Sequence, residues 1–275
     1  MSLDFDLDAY CARIGYEGPR EPTLAVLRGL HARHPAAIAF ETLDPLLGRP
    51  VRLDLESLQD KLVRSRRGGY CFEHNALLGA ALEALGFCVT PLIARVVWMS
   101  PPLSPLSPRN HMLLGIDLPE GPHIADVGFG GHLASAPLKL EVGLEQPTAE
   151  ALMRIVEAGN GLAVETRLPA GWMAMYRFTL EPAERSDYEL SNWYTSTYPG
   201  FVLTSNLVAE RLTPEVRSSL INTRLTRRYR DARVETVDLA DAAALARALD
   251  EIFDVEPPVA AEALFAKLPR AAPAA

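Results

Sequence analysis

The string RRGGYCFEHN, residues 66–75, sets Cys71 behind two glycines and ahead of a Glu-His-Asn run. A thiol there can be a small buried hydrophobe, a metal ligand or a nucleophile. Backbone N–H groups at a helix N-terminus favour a thiolate, and Gly68 and Gly69 leave room for a ligand to approach the main chain. A nucleophile also needs a base, and a group that orients the base, from elsewhere in the chain. His111 opens HMLLGIDL, and Asp126 lies within HIADVGFGG. A hairpin turning on PEGP, residues 119–122, sets Asp126 opposite Gly115, on the face that carries His111. Four residues of strand is about 13 Å, too far for a hydrogen bond, so this register leaves the pairing open.

The other reactive side chains read as structural. His31 and His34 are three apart on a helix, as metal ligands can be, but no third ligand is evident, and a solvated helix edge is expected. His74, in the first turn with Cys71, reads as a structural residue or one standing behind the site. His123 and His132 sit near strand ends and are expected to face water; Cys11 and Cys88 lie beside apolar residues and read as packing. Three cysteines form neither a disulfide framework nor a paired metal-ligand spacing, which fits a reducing cytoplasmic setting and no metal. GFGG, residues 128–131, is too short for a dinucleotide fingerprint and reads as a loop where something flat passes close to the backbone.

Positioning falls to the surrounding elements. TLAVLRGLHARH carries Leu24, Leu27 and Leu30 on one helical stripe, and LESLQDKLV repeats the pattern with Leu55, Leu58 and Leu62. In CFEHNALLGAALEALG, Leu78, Leu82 and Leu85 share a face and Gly86 suits a stop, so Cys71 falls in the first turn of a helix of about four turns. From Phe87 the pattern becomes short β-type runs: FCVTPLIARVVWM, HMLLGIDL, HIADVGFG and WMAMYRFTL. SPPLSPLSPRN, residues 100–110, reads as a proline-rich surface loop. After about residue 190, TPEVRSSLIN and LADAAALARALDEIF read as returning helix, and KLPRAAPAA as a frayed tail.

At 275 residues, 48% hydrophobic and 23% charged, two or three packed domains are expected. The formal charge of −8 lacks the basic footprint of a nucleic-acid binder but leaves room for a local basic pocket. The acidic start MSLDFDLDAY does not read as a signal peptide, and no apolar run approaches a membrane span.

RRGGYCFEHN, ARVVW, NHMLLGI and ADVGFGG, in that order, closely resemble the arylamine N-acetyltransferases, particularly the bacterial ones. IAFETLDPLLG and WYTSTYPG are similar to further segments of that family, and the resemblance covers about residues 8–212. It implies an α+β fold of three parts with a cysteine-protease-like catalytic core. These are a helical bundle (1–86) carrying the nucleophilic cysteine, a β-barrel (87–190) carrying the histidine and aspartate, and an α/β lid (191–275). It implies a Cys71–His111–Asp126 triad and ping-pong acyl transfer with acetyl-CoA as co-substrate and no permanent cofactor. The acceptor would be an arylamine, arylhydrazine or N-hydroxyarylamine. By the same resemblance Phe40 and Phe129 would line the substrate pocket, Asn110, Gly130 and Leu203 would border coenzyme A, and Glu41 and Arg67 would form a structural ion pair.

The chain departs from the family pattern at Thr42, where Asn is usual, and at Tyr198, Phe201 and Leu203, where His, Ser and Phe are usual. A smaller Leu203 opens the cleft and a bulky Phe201 closes it. Three rivals share these residues: an amide synthase taking a large polyketide thioester, a thiol hydrolase with the same triad, and a catalytically silent binding protein.

Overall fold

The computed structural model describes residues 5–100, 105–132 and 134–269. Part of the proline-rich loop, the first four residues and the last six therefore lie outside the described residues.

The N-terminal part is helical, with α1 (Leu7–Ile14), α2 (Leu24–Ala37), the two-residue strand β1 (Phe40–Glu41), α3 (Leu43–Leu47), α4 (Leu55–Leu58) and α5 (Cys71–Ala84). Asp6, Thr23 and Asp54 cap α1, α2 and α4 by accepting first-turn backbone N–H groups. Helix α5 is buried nearly all round, from Cys71 and Phe72 to Ala81 and Leu82, as a central helix should be. It ends where Gly86 turns into the left-handed region at φ 84°.

The middle is an antiparallel, barrel-like sheet of β2 (Cys88–Val96), β3 (His111–Asp117), β4 (His123–Ala125), β5 (Leu138–Lys139), β6 (Gln146–Pro147), β7 (Leu152–Ala158), β8 (Gly161–Leu168) and β9 (Gly171–Phe178). Among the described residues its order is β5-β4-β3-β2-β9-β8-β7-β6. Leu92, Leu113, Ile155, Val164 and Met175 fill its interior, while the opposite faces of β2 and β3 pack on α5 through Ile93, Met112 and Leu114. Alternation along these strands thus buries both faces.

The C-terminal part starts with α6 (Arg185–Thr197) and α7 (Val202–Ser205). A sheet follows, of β10 (Val208–Leu212), β11 (Val216–Ile221), β12 (Arg224–Tyr229) and β13 (Val234–Asp238), and α8 (Ala242–Arg247) and α9 (Ala261–Lys267) pack on it. β1 joins this sheet beside β10, with Phe40 opposite Glu210, so the helical part donates an edge strand to the lid. The helix expected over TPEVRSSLIN is instead strand β11. Ile221 and Arg224 face each other across a two-residue turn at Asn222-Thr223, and Asn222 takes φ 55°. Asn accepts that left-handed conformation, and the hairpin it makes overrides helical spacing. No helix among the described residues is long and apolar enough to cross a membrane.

Candidate active site

The site is built on the N-terminus of α5. Glu73 reaches back to the N–H of Tyr70 at 3.0 Å, closing the first turn. Its other oxygen meets Lys61 at 2.6 Å, and Lys61 also meets Asp44 at 2.6 Å. Burial pulls the Lys61 ammonium down, but the Glu73, Glu41 and Asp44 carboxylates outweigh it and hold the group well above its ordinary value. Arg67 donates to one Glu41 oxygen from Nε at 2.9 Å and from a terminal nitrogen at 2.7 Å, and the second Glu41 oxygen accepts Leu43 N–H. Lys61 and Asp44, which no sequence pattern singled out, thus tie the Glu41–Arg67 pair to α5.

Gly68 and Gly69 serve this anchoring. A Cβ on Gly68 would stand 1.8 Å from Ala39 O, and one on Gly69 would stand 2.6 Å from the Glu73 carboxylate. The backbone N–H of Glu41 donates to Gly69 O at 2.7 Å, stitching β1 alongside the loop.

His111 and Asp126 come from the β3–β4 hairpin, which turns one step earlier than PEGP. Gly121 N–H donates to Leu118 O at 2.9 Å with Gly121 at φ 104°, and Ile124 rather than Asp126 lies opposite Gly115. This shift brings Asp126, just beyond β4, two residues closer to His111. His111 Nε2 lies 2.7 Å from Asp126 Oδ2. With Nε2 so engaged, Nδ1 is the ring nitrogen left for Cys71. The same sulfur lies 3.7 Å from Asn110 O.

Asp126 is held from several sides. Its Oδ1 accepts Asn75 Nδ2 at 2.9 Å and Gly128 N–H at 3.0 Å. Asn75 also donates to Met112 O at 2.6 Å and accepts Val127 N–H at 3.0 Å, pinning α5 to β3 and to the strand exit. Burial alone would raise the Asp126 carboxyl, but the His111 charge and these donors bring it below its ordinary value. Burial pulls His111 down in turn, yet the adjacent Asp126 charge pushes the imidazole up to about 10. Both shifts favour a carboxylate beside an imidazolium.

Behind it lies a buried histidine cluster where a solvated helix edge was expected. His31 and His34 have no exposed surface. α2 is covered on that side by α1, α5 and the Asp126 loop, so its polar side chains point inward to backbone and to one another. His31 Nε2 accepts the N–H of Asp126 at 3.2 Å. His74 Nε2 faces the carbonyls of Ala39 and Gly69 at 3.2 and 3.1 Å and must carry the proton. His74 Nδ1 then accepts from His34 Nε2 at 2.9 Å, and His34 Nδ1 accepts from Tyr10 OH at 2.8 Å. His123 is also buried, on β4 between two neighbouring strands, and donates from Nδ1 to Gly121 O. His132 is half-buried. Cys88 is exposed, because it begins β2 opposite exposed Asp117 at the outward end of the pairing. Among the described residues, no group of three or more His, Cys, Asp or Glu side chains could share a metal ion.

These histidines set a pH dependence of stability. Burial lowers His31 and His74 from 6.5 to about 4, so between those values the unfolded chain binds more protons and stability falls as pH falls. Each shift corresponds to on the order of 3 kcal/mol. His111 runs the other way, since the folded state holds its proton up to about 10 and its contribution is lost as pH rises from 6.5. The urea midpoint is expected to fall on both sides of about pH 6.5, which denaturation series from pH 5 to 9 would measure.

Cys71 and His111 open onto a cavity of about 370 Å³ whose walls include Phe40, Asn110, Phe129, Gly130 and Leu203. Phe129 presents its ring edge-on to His111, with centroids 5.3 Å apart. The flat object beside GFGG is the Phe40 ring, which a Cβ on Gly130 would meet at 2.6 Å, while one on Gly128 would meet Cys71 Cα at 2.7 Å. Asn110 is turned from the cavity in part, its Oδ1 accepting Val96 N–H at 3.1 Å. Phe201 lines the cavity and rests edge-on against Tyr194, which also stacks with exposed Tyr198.

A family model described as N-acetyltransferase matches residues 23–260. The arylamine N-acetyltransferase of Mycobacterium tuberculosis H37Rv is 42% identical over 256 residues, covering 92% of this chain and 90% of its own. That of Escherichia coli K12 is 38% identical over 248 residues, 90% and 88% of the two chains. The solved Mycobacterium marinum arylamine N-acetyltransferase superposes with a TM-score of 0.91 at 40% identity, over 96% of this chain and 99% of that one. The same protein in complex with CoA gives 0.90 at 40% identity, with the same coverage of both chains.

Proposed function

This chain belongs to the arylamine N-acetyltransferase family and is an acetyl-CoA-dependent acyltransferase of arylamines, and we propose that Cys71 carries the acetyl group between the two substrates as a thioester. The observation that supports this most is that Cys71 and His111 line one largely apolar cavity while Asp126 holds the imidazole through Nε2.

In the first half-reaction the sulfur attacks the acetyl carbonyl and the Cys71 proton resides on His111. The tetrahedral adduct collapses by breaking the bond to the coenzyme sulfur, which leaves as the thiol with the proton from the imidazolium. In the second, the amine nitrogen attacks the thioester and the C–S bond to Cys71 breaks. The imidazole accepts the nitrogen's proton and holds it beside the departing sulfur, restoring the starting state. Asp126 keeps Nε2 as the donor nitrogen and stabilises the charged ring throughout. Phe40 and Phe129 form the aromatic wall for the acceptor, and Asn110, Gly130 and Leu203 border the path of the coenzyme arm. Glu41 and Arg67 hold the loop ahead of Cys71. Arylhydrazines, whose terminal nitrogen is an equally accessible nucleophile, are acceptors as well, and the setting is cytoplasmic.

The test is intact-protein mass spectrometry after acetyl-CoA alone, then after an arylamine is added. One acetyl group on Cys71, discharged as the amide, is the expected result. Discharge by water at the same rate without amine would favour a hydrolase. Labelling only by a long-chain thioester would favour an amide synthase.

A further inference from the structure

The glycine loop that walls the acetyl cavity is fastened at both ends, by different parts of the fold. Its first residue, Gly128, is held by Asp126, within the triad's own network. Its last, Gly131, is held by the lid. Glu210 on β10 accepts Gly131 N–H at 2.8 Å, and Arg217 on β11 donates to Gly131 O. Both backbone groups of one residue are thus taken by one ion pair, in which Arg217 Nε meets Glu210 Oε1 at 3.1 Å. Both partners are more than nine-tenths buried.

The pair continues across the loop into the barrel. Arg217 has no acceptor atom, so His132 Nδ1, at 3.1 Å from its terminal nitrogen, must accept. His132 then carries its proton on Nε2 and donates to Thr166 Oγ1 on β8 at 2.9 Å. Burial, with the Arg217 and Arg228 charges, lowers His132 to about 4 and keeps that nitrogen free to accept. The indole of Trp98 stacks on the imidazole, centroids 5.2 Å apart.

This brace sits on a partition. Trp98 and Gly131 line both the acetyl cavity and a second cavity of about 720 Å³, whose walls also carry Arg228 and Arg230. Arg217 borders the second cavity too, but its donors are occupied by Glu210, Gly131 and His132. Resting on the acetyl-transfer reading above, we infer that Glu210 and Arg217 are positioning residues for the acyl donor: through Gly131 they fix the wall that the coenzyme arm must pass to reach Cys71. Asp126 is held by Asn75, His31 and the N–H of Gly128 at the far end of the loop, none of which Glu210 or Arg217 hydrogen-bonds.

A brace of this kind separates two donors. Arg217→Met is expected to raise KM for acetyl-CoA about tenfold or more, as small misplacements of a binding wall do. Turnover of p-nitrophenyl acetate, a donor with no long arm, should change less than about threefold on the same scale. Arg217→Lys keeps the charge but not the fork that spans these acceptors, so it should shift acetyl-CoA KM the same way by less, and it serves if the Met variant does not fold. Parallel loss with both donors, or an unchanged acetyl-CoA KM in a variant with native circular dichroism, would overturn the inference. Failure of the wild-type chain to take acetyl from acetyl-CoA would instead defeat the functional reading on which it rests.

Discussion

Cys71→Ala leaves a protein that folds, binds its substrates and transfers no acetyl group. The substitution removes one sulfur from a buried helix start and leaves the capping contact of Glu73 with Tyr70 untouched, so melting temperature should move little. Without a nucleophile neither half-reaction has a covalent carrier, and direct attack of a weakly basic aromatic amine on acetyl-CoA must serve instead. Turnover of a substrate such as anisidine should fall by about 10⁴-fold or more, as losing the nucleophile does in other covalent enzymes. The mass shift of one acetyl group should vanish with it. A variant that kept both adduct and turnover would place the carrier on another side chain and undo the assignment.

Residue types and chain order were enough to bring Cys71, His111 and Asp126 forward as candidates, because cysteines and histidines are few and each of the three sat in a marked local setting. Their distance was not legible. It depends on which residue of LPEGP accepts the left-handed turn, and moving that turn by one residue changes the pairing by two. Gly121 at φ 104° decides it, and the prolines on both sides made either turn plausible on sequence alone.

The α+β plan was legible from periodicity and from motif order, but β11 was not, since VRSSLI reads equally as a helix turn until Asn222-Thr223 is recognised as a hairpin. Burial of polar residues was the least legible. His31, His34 and His74 are inside because α1, α5 and the Asp126 loop converge on α2, and only that convergence supplies their partners. Lys61 carries its charge into the interior for the same reason: Glu73, Glu41 and Asp44 come from three separate elements.

Asp126→Asn tests the orienter rather than the nucleophile, and its geometry dictates the result. Oδ1 at this position receives two donors, Asn75 Nδ2 and Gly128 N–H, so an amide placed there must keep its oxygen toward them. Its NH₂ then faces His111 Nε2, which has to become an acceptor. The ring proton moves to Nδ1, the nitrogen left for the sulfur, and the imidazole can no longer take the thiol proton. The carboxylate charge that holds His111 up to about 10 is lost as well, leaving burial to favour the neutral ring. Acetylation rate should drop about 10⁴-fold at neutral pH, the size of effect a wrong tautomer produces in a comparable triad. At neutral pH the rate of Cys71 alkylation by iodoacetamide should fall as well, because the imidazole no longer draws the thiol proton. Native circular dichroism with those two changes is the expected combination; an unchanged alkylation rate in the variant would mean that the sulfur is activated without Asp126.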